Sequence, residues 1–136
     1  MKRTISIDQI IKIISLQLSD VVAIYLFGSA ATGEMNDESD VDLAVLPKKP
    51  LSPDLAFELK TNLAAALKRD VDLIDMLRAD SVTLAQIILK GELIFQGDTS
   101  EREVFESSAL GQYLQLNEER RGILEDIEKR GSVYGR

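Results

Sequence analysis

Cysteine and histidine are both absent from this 136-residue chain. Without cysteine there can be no disulfide and no thiol nucleophile. Without histidine the usual imidazole base and the commonest zinc ligand are gone. Chemistry must therefore rest on carboxylates, hydroxyls, lysine and arginine, backbone amides and bound cations. Proline is scarce, and all three copies fall between Pro47 and Pro53, which marks a loop. No apolar run reaches the roughly 20 residues of a membrane span. The N-terminus has neither an apolar signal core nor a cleavage site, so a soluble, cytoplasmic protein with no membrane partner is expected. A basic stripe is missing as well. The net charge is −7, whereas binding duplex nucleic acid calls for lysines and arginines that displace phosphate counterions. Nucleic acid is not expected as a direct partner.

Enough apolar residues are present for a core, at 45% of the chain, and the length suits one compact domain. Ser6 and Gln9 have capping-box spacing ahead of Ile7, Ile10, Ile11, Ile14 and Leu18, which predicts a helix over 6–19. "VVAIYLF" (21–27) is short, β-branched and aromatic, hence a buried strand. Gly28-Ser29 ends it, and "AATGE" (30–34) makes a brief turn or helix. "VDLAVL" (41–46) is a second strand, and the proline loop follows. Ser52 caps a helix with Pro53 at its first position, and Leu55, Leu59, Leu63 and Leu67 make its core stripe. "DVDLIDML" (70–77) is a third strand, "SVTLAQIILKG" a helix closed by Gly91, and "ELIFQG" a fourth strand. Ser100 and Glu103 suggest another capping box, with a helix broken or bent at Gly111 and Gly122, carrying Ile123, Leu124 and Ile127, and a frayed tail over 130–136. The expected fold is α/β (α+β), a small mixed sheet flanked by helices. Residues 1–98 form its main domain, and 99–136 a C-terminal helical extension and tail in the same compact unit. Apolar residues on that extension suggest a partner surface.

The chemistry-bearing pattern is acidic. Alternation along the second strand puts Asp40 and Asp42 on one face, roughly 7 Å apart, with Val41, Leu43 and Val45 on the other. The third strand repeats the pattern with Asp70 and Asp72. If the two strands are neighbours, Asp72 joins the first pair. Two such charges 4 Å apart repel by about 4 kcal/mol at an effective dielectric near 20, so the site must hold protons or recruit a cation. All-oxygen ligation favours Mg²⁺ or Mn²⁺ over zinc. Two such ions about 4 Å apart suit in-line phosphoryl or nucleotidyl displacement. Gly28 permits close backbone approach to a ligand, and Ser29 offers a hydroxyl to the same phosphate.

Gly28-Ser29, ten intervening residues and then Asp40-Val41-Asp42 resemble the GS-x10-DxD signature of the nucleotidyltransferase superfamily with a DNA polymerase β-like core. With its short length, the chain resembles most closely the minimal nucleotidyltransferases, the MNT antitoxins of HEPN/MNT toxin–antitoxin pairs. The resemblance implies a nucleotidyltransferase fold in which Asp40 and Asp42 ligate metal. Asp72 would complete the triad and help deprotonate the acceptor hydroxyl. Asp75 competes for that third place, although odd spacing turns it to the opposite face. Gly28 and Ser29 would hold the nucleotide. The implied activity is metal-dependent transfer of AMP from ATP to a tyrosine of a cognate HEPN ribonuclease toxin, with Mg²⁺, two ions or Mn²⁺ in its place, as cofactor. A small-molecule nucleotidyltransferase and an antitoxin that acts by binding alone are the alternatives. Many relatives carry arginine where this chain has Thr32, so the charge must come from elsewhere, with Arg78, Lys48 and Lys49 as candidates.

Overall fold

A computed structural model describes residues 5–28 and 40–129. The turn expected at 30–34, the side chains of Ile123, Leu124 and Ile127, and the tail 130–136 lie outside the described residues, as do Ser29 and Thr32. Helix α1 spans Ile7–Gln17 and begins as the sequence predicts, with the Ser6 hydroxyl accepting the Gln9 N–H. Strand β1 is Ala23–Phe27, β2 is Val41–Leu46, and helix α2 is Pro53–Leu67. Ser52 caps α2 by accepting from Leu55 N–H at 3.1 Å, with Pro53 in the first turn where its missing N–H costs nothing. Strand β3 (Val71–Asp75), helix α3 (Ser81–Lys90), strand β4 (Glu92–Gln96) and helix α4 (Thr99–Lys129) complete the chain.

The strands form one sheet in the order β3-β2-β1-β4. β1 runs antiparallel to both β2 and β4, while β2 and β3 are parallel. The mixed character follows from connectivity, since the β2–β3 crossover carries α2 and so allows a parallel return. Each strand alternates between two apolar layers. Ile24, Leu26, Val41, Leu43, Val45 and Val71 face the layer that holds Ile10 and Ile14 of α1 and Leu59 and Leu63 of α2. Leu59 and Leu63 are fully buried, and burying such a side chain stabilises by about 1.5–3 kcal/mol. Tyr25, Ala44 and Leu46 face the second layer, with Leu84 and Ile87 of α3 and Ala109 of α4.

Tyr25 is only 2% exposed, and its hydroxyl donates to Glu106 of α4. Arg102 pairs with the other Glu106 oxygen at 2.8 Å and, through its Nε, with Gln96 at 2.5 Å. This network pins α4 across the end of β4 and onto β1.

Two expectations about α4 are corrected. Its cap is Asp98, not Ser100: Asp98 Oδ1 accepts from Glu101 N–H at 2.9 Å, and the Asp98 carbonyl accepts from Arg102 N–H at 3.0 Å. A carboxylate also interacts favourably with the positive helix start. Nor does the helix break at Gly111 or Gly122, since it is continuous from Thr99 to Lys129. A glycine costs only about 1 kcal/mol relative to alanine in a helix interior, and the space beside both glycines is open. No helix among the described residues is long and apolar enough to cross a membrane.

Candidate active site

The site forms where β2 and β3 begin. The Val41 N–H donates to the Asp70 carbonyl at 2.9 Å and opens the parallel ladder. That register sets Asp42 directly beside Asp72. Because the side-chain period of a strand is two, both fall on the layer shared with Ala44, Leu46 and Ile74, at its uncovered end. On its other side, Asp42 pairs across the antiparallel ladder with Phe27, the residue before Gly28.

Gly28 has φ +70, a left-handed conformation that L side chains adopt at a cost. A Cβ placed there would overlap Asp42 Oδ2 and lie 3.2 Å from its Cγ. Glycine is thus required twice, by the backbone and by the carboxylate above it. Ser29, the partner expected at the phosphate cradle, lies outside the described residues.

Asp42 is half-buried, whereas Asp40 and Asp72 are exposed. Burial, then the charge of Asp72, then that of Asp40, push the Asp42 carboxyl above the usual carboxylate range. Each cause has the same meaning: another negative charge is unwelcome at this point. The three acids expected from the sequence therefore converge electrostatically from two strands. Their donor set is entirely carboxylate oxygen, which suits a hard divalent cation such as Mg²⁺ or Mn²⁺ and would be relieved of repulsion by one. Among the described residues no group of three or more acidic side chains closes to the spacing of a formed metal cage.

Beside the carboxylates, a groove of about 410 Å³ runs between α2 and the outer edge of β3. Asp40, Asp70 and Asp72 line one wall, and Phe57, Lys60 and Thr61 line the other. Phe57, Lys60, Thr61 and Ala64 follow at i, i+3, i+4 and i+7, a second stripe on α2 next to its leucine stripe. The sequence carried this signal, but the leucine stripe alone accounts for the helix, so the second passes unread.

Asp75 does not belong to the site. Its Oδ2 accepts from Leu51 N–H at 2.8 Å and its Oδ1 from Leu77 N–H at 2.9 Å, so it clamps the loops at the far end of β3. The cations suggested in place of the charge missing at Thr32 lie there too. Arg78 donates to the Leu51 carbonyl at 3.1 Å and stands 3.7 Å from Asp75. Lys48 pairs with Glu101 of α4 at 2.5 Å. With a strand rising about 3.3 Å per residue, Lys48 and Lys49 stand roughly 20 Å beyond Asp42, and Arg78 lies beside Asp75, whose backbone is roughly 10 Å along β3 from Asp72. Lys48 and Arg78 serve there as structural ties.

Comparison with known proteins follows the same geometry. Residues 8–100 match the family described as Polymerase beta, Nucleotidyltransferase. The chain is similar to the protein adenylyltransferase MntA of Shewanella oneidensis, with 34% identity over 120 residues, 88% of this chain and 86% of the relative. It is similar to a chain in the crystal structure of a toxin–antitoxin with AMP-PNP, with TM-score 0.79 and 33% identity, covering 90% of this chain and 98% of that one. It is also similar to a chain in the structure of a tri-AMPylated Shewanella oneidensis HEPN toxin in complex with an MNT antitoxin. There the TM-score is 0.73 and the identity 32%, over 90% of this chain and 95% of the other.

Proposed function

Because the chain belongs to the polymerase β nucleotidyltransferase family, we propose that it is a protein adenylyltransferase acting as an antitoxin. It transfers AMP from ATP to a tyrosine hydroxyl of a cognate HEPN toxin and so neutralises it. The observation that carries this reading is the register of Asp42 beside Asp72 with Gly28 against Asp42, in a chain whose relative of similar length is a protein adenylyltransferase.

Asp40, Asp42 and Asp72 would hold one or two Mg²⁺ ions, which supply charge neutralisation of the triphosphate and of the oxyanions that develop in displacement. Gly28 keeps the backbone low beneath Asp42, and Gly28 with Ser29 would seat the phosphates. Asp72, on the β3 side, accepts the proton of the acceptor hydroxyl. The oxygen then bonds to the α-phosphorus, the bond from that phosphorus to the β-bridging oxygen breaks, and pyrophosphate leaves. Holding these groups in line lowers the barrier through orientation and fixed charge.

The test uses ATP labelled at the α- or the γ-phosphorus, Mg²⁺ and the HEPN partner. Label from the α-position moves to the partner, while label from the γ-position leaves with pyrophosphate. An Asp40→Ala/Asp42→Ala variant folds but transfers nothing. Should that variant neutralise the toxin as well as the wild type does, neutralisation by contact alone replaces this reading.

A further inference from the structure

The groove between α2 and β3 shares Asp40 and Asp72 with the carboxylate site, and its lining includes neither Asp42 nor Gly28. We infer that this groove seats the acceptor segment of the partner protein, with an aromatic hydroxyl side chain lying against Phe57 and Thr61 and its oxygen at Asp72. The inference rests on the protein adenylyltransferase reading above.

Charge decides what the groove can hold. With Asp40 and Asp72 given to cations in the reading above, the charges left among the lining residues are Asp70 and Lys60. That balance leaves the rest of the groove close to neutral, which suits an uncharged hydroxyl side chain. The size agrees, since about 410 Å³ lies within the roughly 300–1,000 Å³ of sites for small groups. The helix supplies the apolar wall. Leu59 and Leu63 fill the core, so folding makes no demand on Phe57, which stays 71% exposed. An aromatic ring held in water beside active-site carboxylates is a ready surface for another ring, because such pairs add to binding beyond area burial. Phe57 and Thr61 are positioning residues here. In the step they serve, the acceptor O–H proton passes to Asp72, the O–P bond to the α-phosphorus forms, and pyrophosphate departs.

The experiment measures AMP transfer to the HEPN partner over a range of partner concentrations. Phe57→Ala empties the groove and Thr61→Trp fills it, and both side chains are exposed, so neither disturbs the core. Phe57→Ala is expected to raise KM for the partner about three- to tenfold with kcat little changed. Thr61→Trp lowers kcat/KM for the partner at least as much. Phe57→Tyr, which keeps the ring, retains the wild-type KM. All three keep the wild-type affinity for AMP-PNP and the wild-type Tm. If Phe57→Ala and Thr61→Trp both remain within about twofold of wild-type kcat/KM, the groove is not the acceptor site and only this inference falls. If the wild type itself transfers no AMP, the adenylyltransferase reading falls and takes the inference with it.

Discussion

Asp42 and Asp72 are register partners on adjacent parallel strands, so two carboxylates stand about one strand spacing apart, roughly 4.8 Å at the backbone. The fold pays for this pair in repulsion, and the carboxyl of Asp42 responds by moving above its ordinary range. A carboxylate with a raised folded-state pKa favours the folded protein at pH below its unfolded value. That contribution is lost as pH rises through the folded value. At pH 7, then, the ionised Asp42 opposes folding.

Asp42→Asn should therefore raise Tm at pH 7 in the absence of divalent cations, with the gain shrinking as pH falls toward 4. The same variant should lose AMP transfer. Mg²⁺ with ATP should raise the Tm of the wild type but much less that of the variant, because only a site that binds in the folded state shifts the equilibrium. Thermal melts at two pH values, with and without Mg²⁺, check all three statements.

Gly28→Ala separates backbone cost from site cost. The left-handed φ should lower stability by about 1–2 kcal/mol. The overlap is with Oδ2, the free end of a side chain, so it is relieved by turning the Asp42 carboxylate away. Transfer should then fall about 100-fold, the scale expected for a misplaced reacting group. Urea unfolding and initial rates on the same preparation measure both effects.

Tyr25 gives the opposite signature. Burial, and after it Glu106, push its hydroxyl far above the ordinary range, so it stays a proton donor to Glu106 throughout the working pH range. Tyr25→Phe should cost about 1.5–3 kcal/mol, the range for a hydrogen bond to a charged group, while transfer by the folded fraction is unchanged. Glu106 keeps Arg102 at 2.8 Å, which holds the loss to the lower part of that range.

Much of this was legible in the residues. Alternation fixed the faces of Val41, Asp42 and Leu43, and the leucine stripe of α2 gave its buried side, because both depend only on local periodicity. Odd spacing was enough to separate Asp75 from Asp72, and the structure adds what Asp75 does instead. Register and end-to-end placement were not legible. Arg78 and Lys48 looked available for phosphate because a sequence does not show their partners, the Leu51 carbonyl and Asp75 for Arg78 and Glu101 for Lys48. The cap of α4 was misread because Asp98 and Ser100 are both good caps, and only the Asp98–Glu101 bond decides between them. The groove wall at Phe57 depends on how α2 lies along β3, a tertiary fact.

The most direct test of the account is the intact mass of the HEPN partner after incubation with ATP, Mg²⁺ and wild type, Asp72→Asn or Asp75→Asn. The wild type should add AMP to the partner, and Asp75→Asn should do so at the wild-type rate per folded molecule. Asp72→Asn, equally folded, should be slower by about 100-fold or more, the scale of a lost general base. Addition at the wild-type rate by Asp72→Asn, or no addition by any of the three, would contradict it.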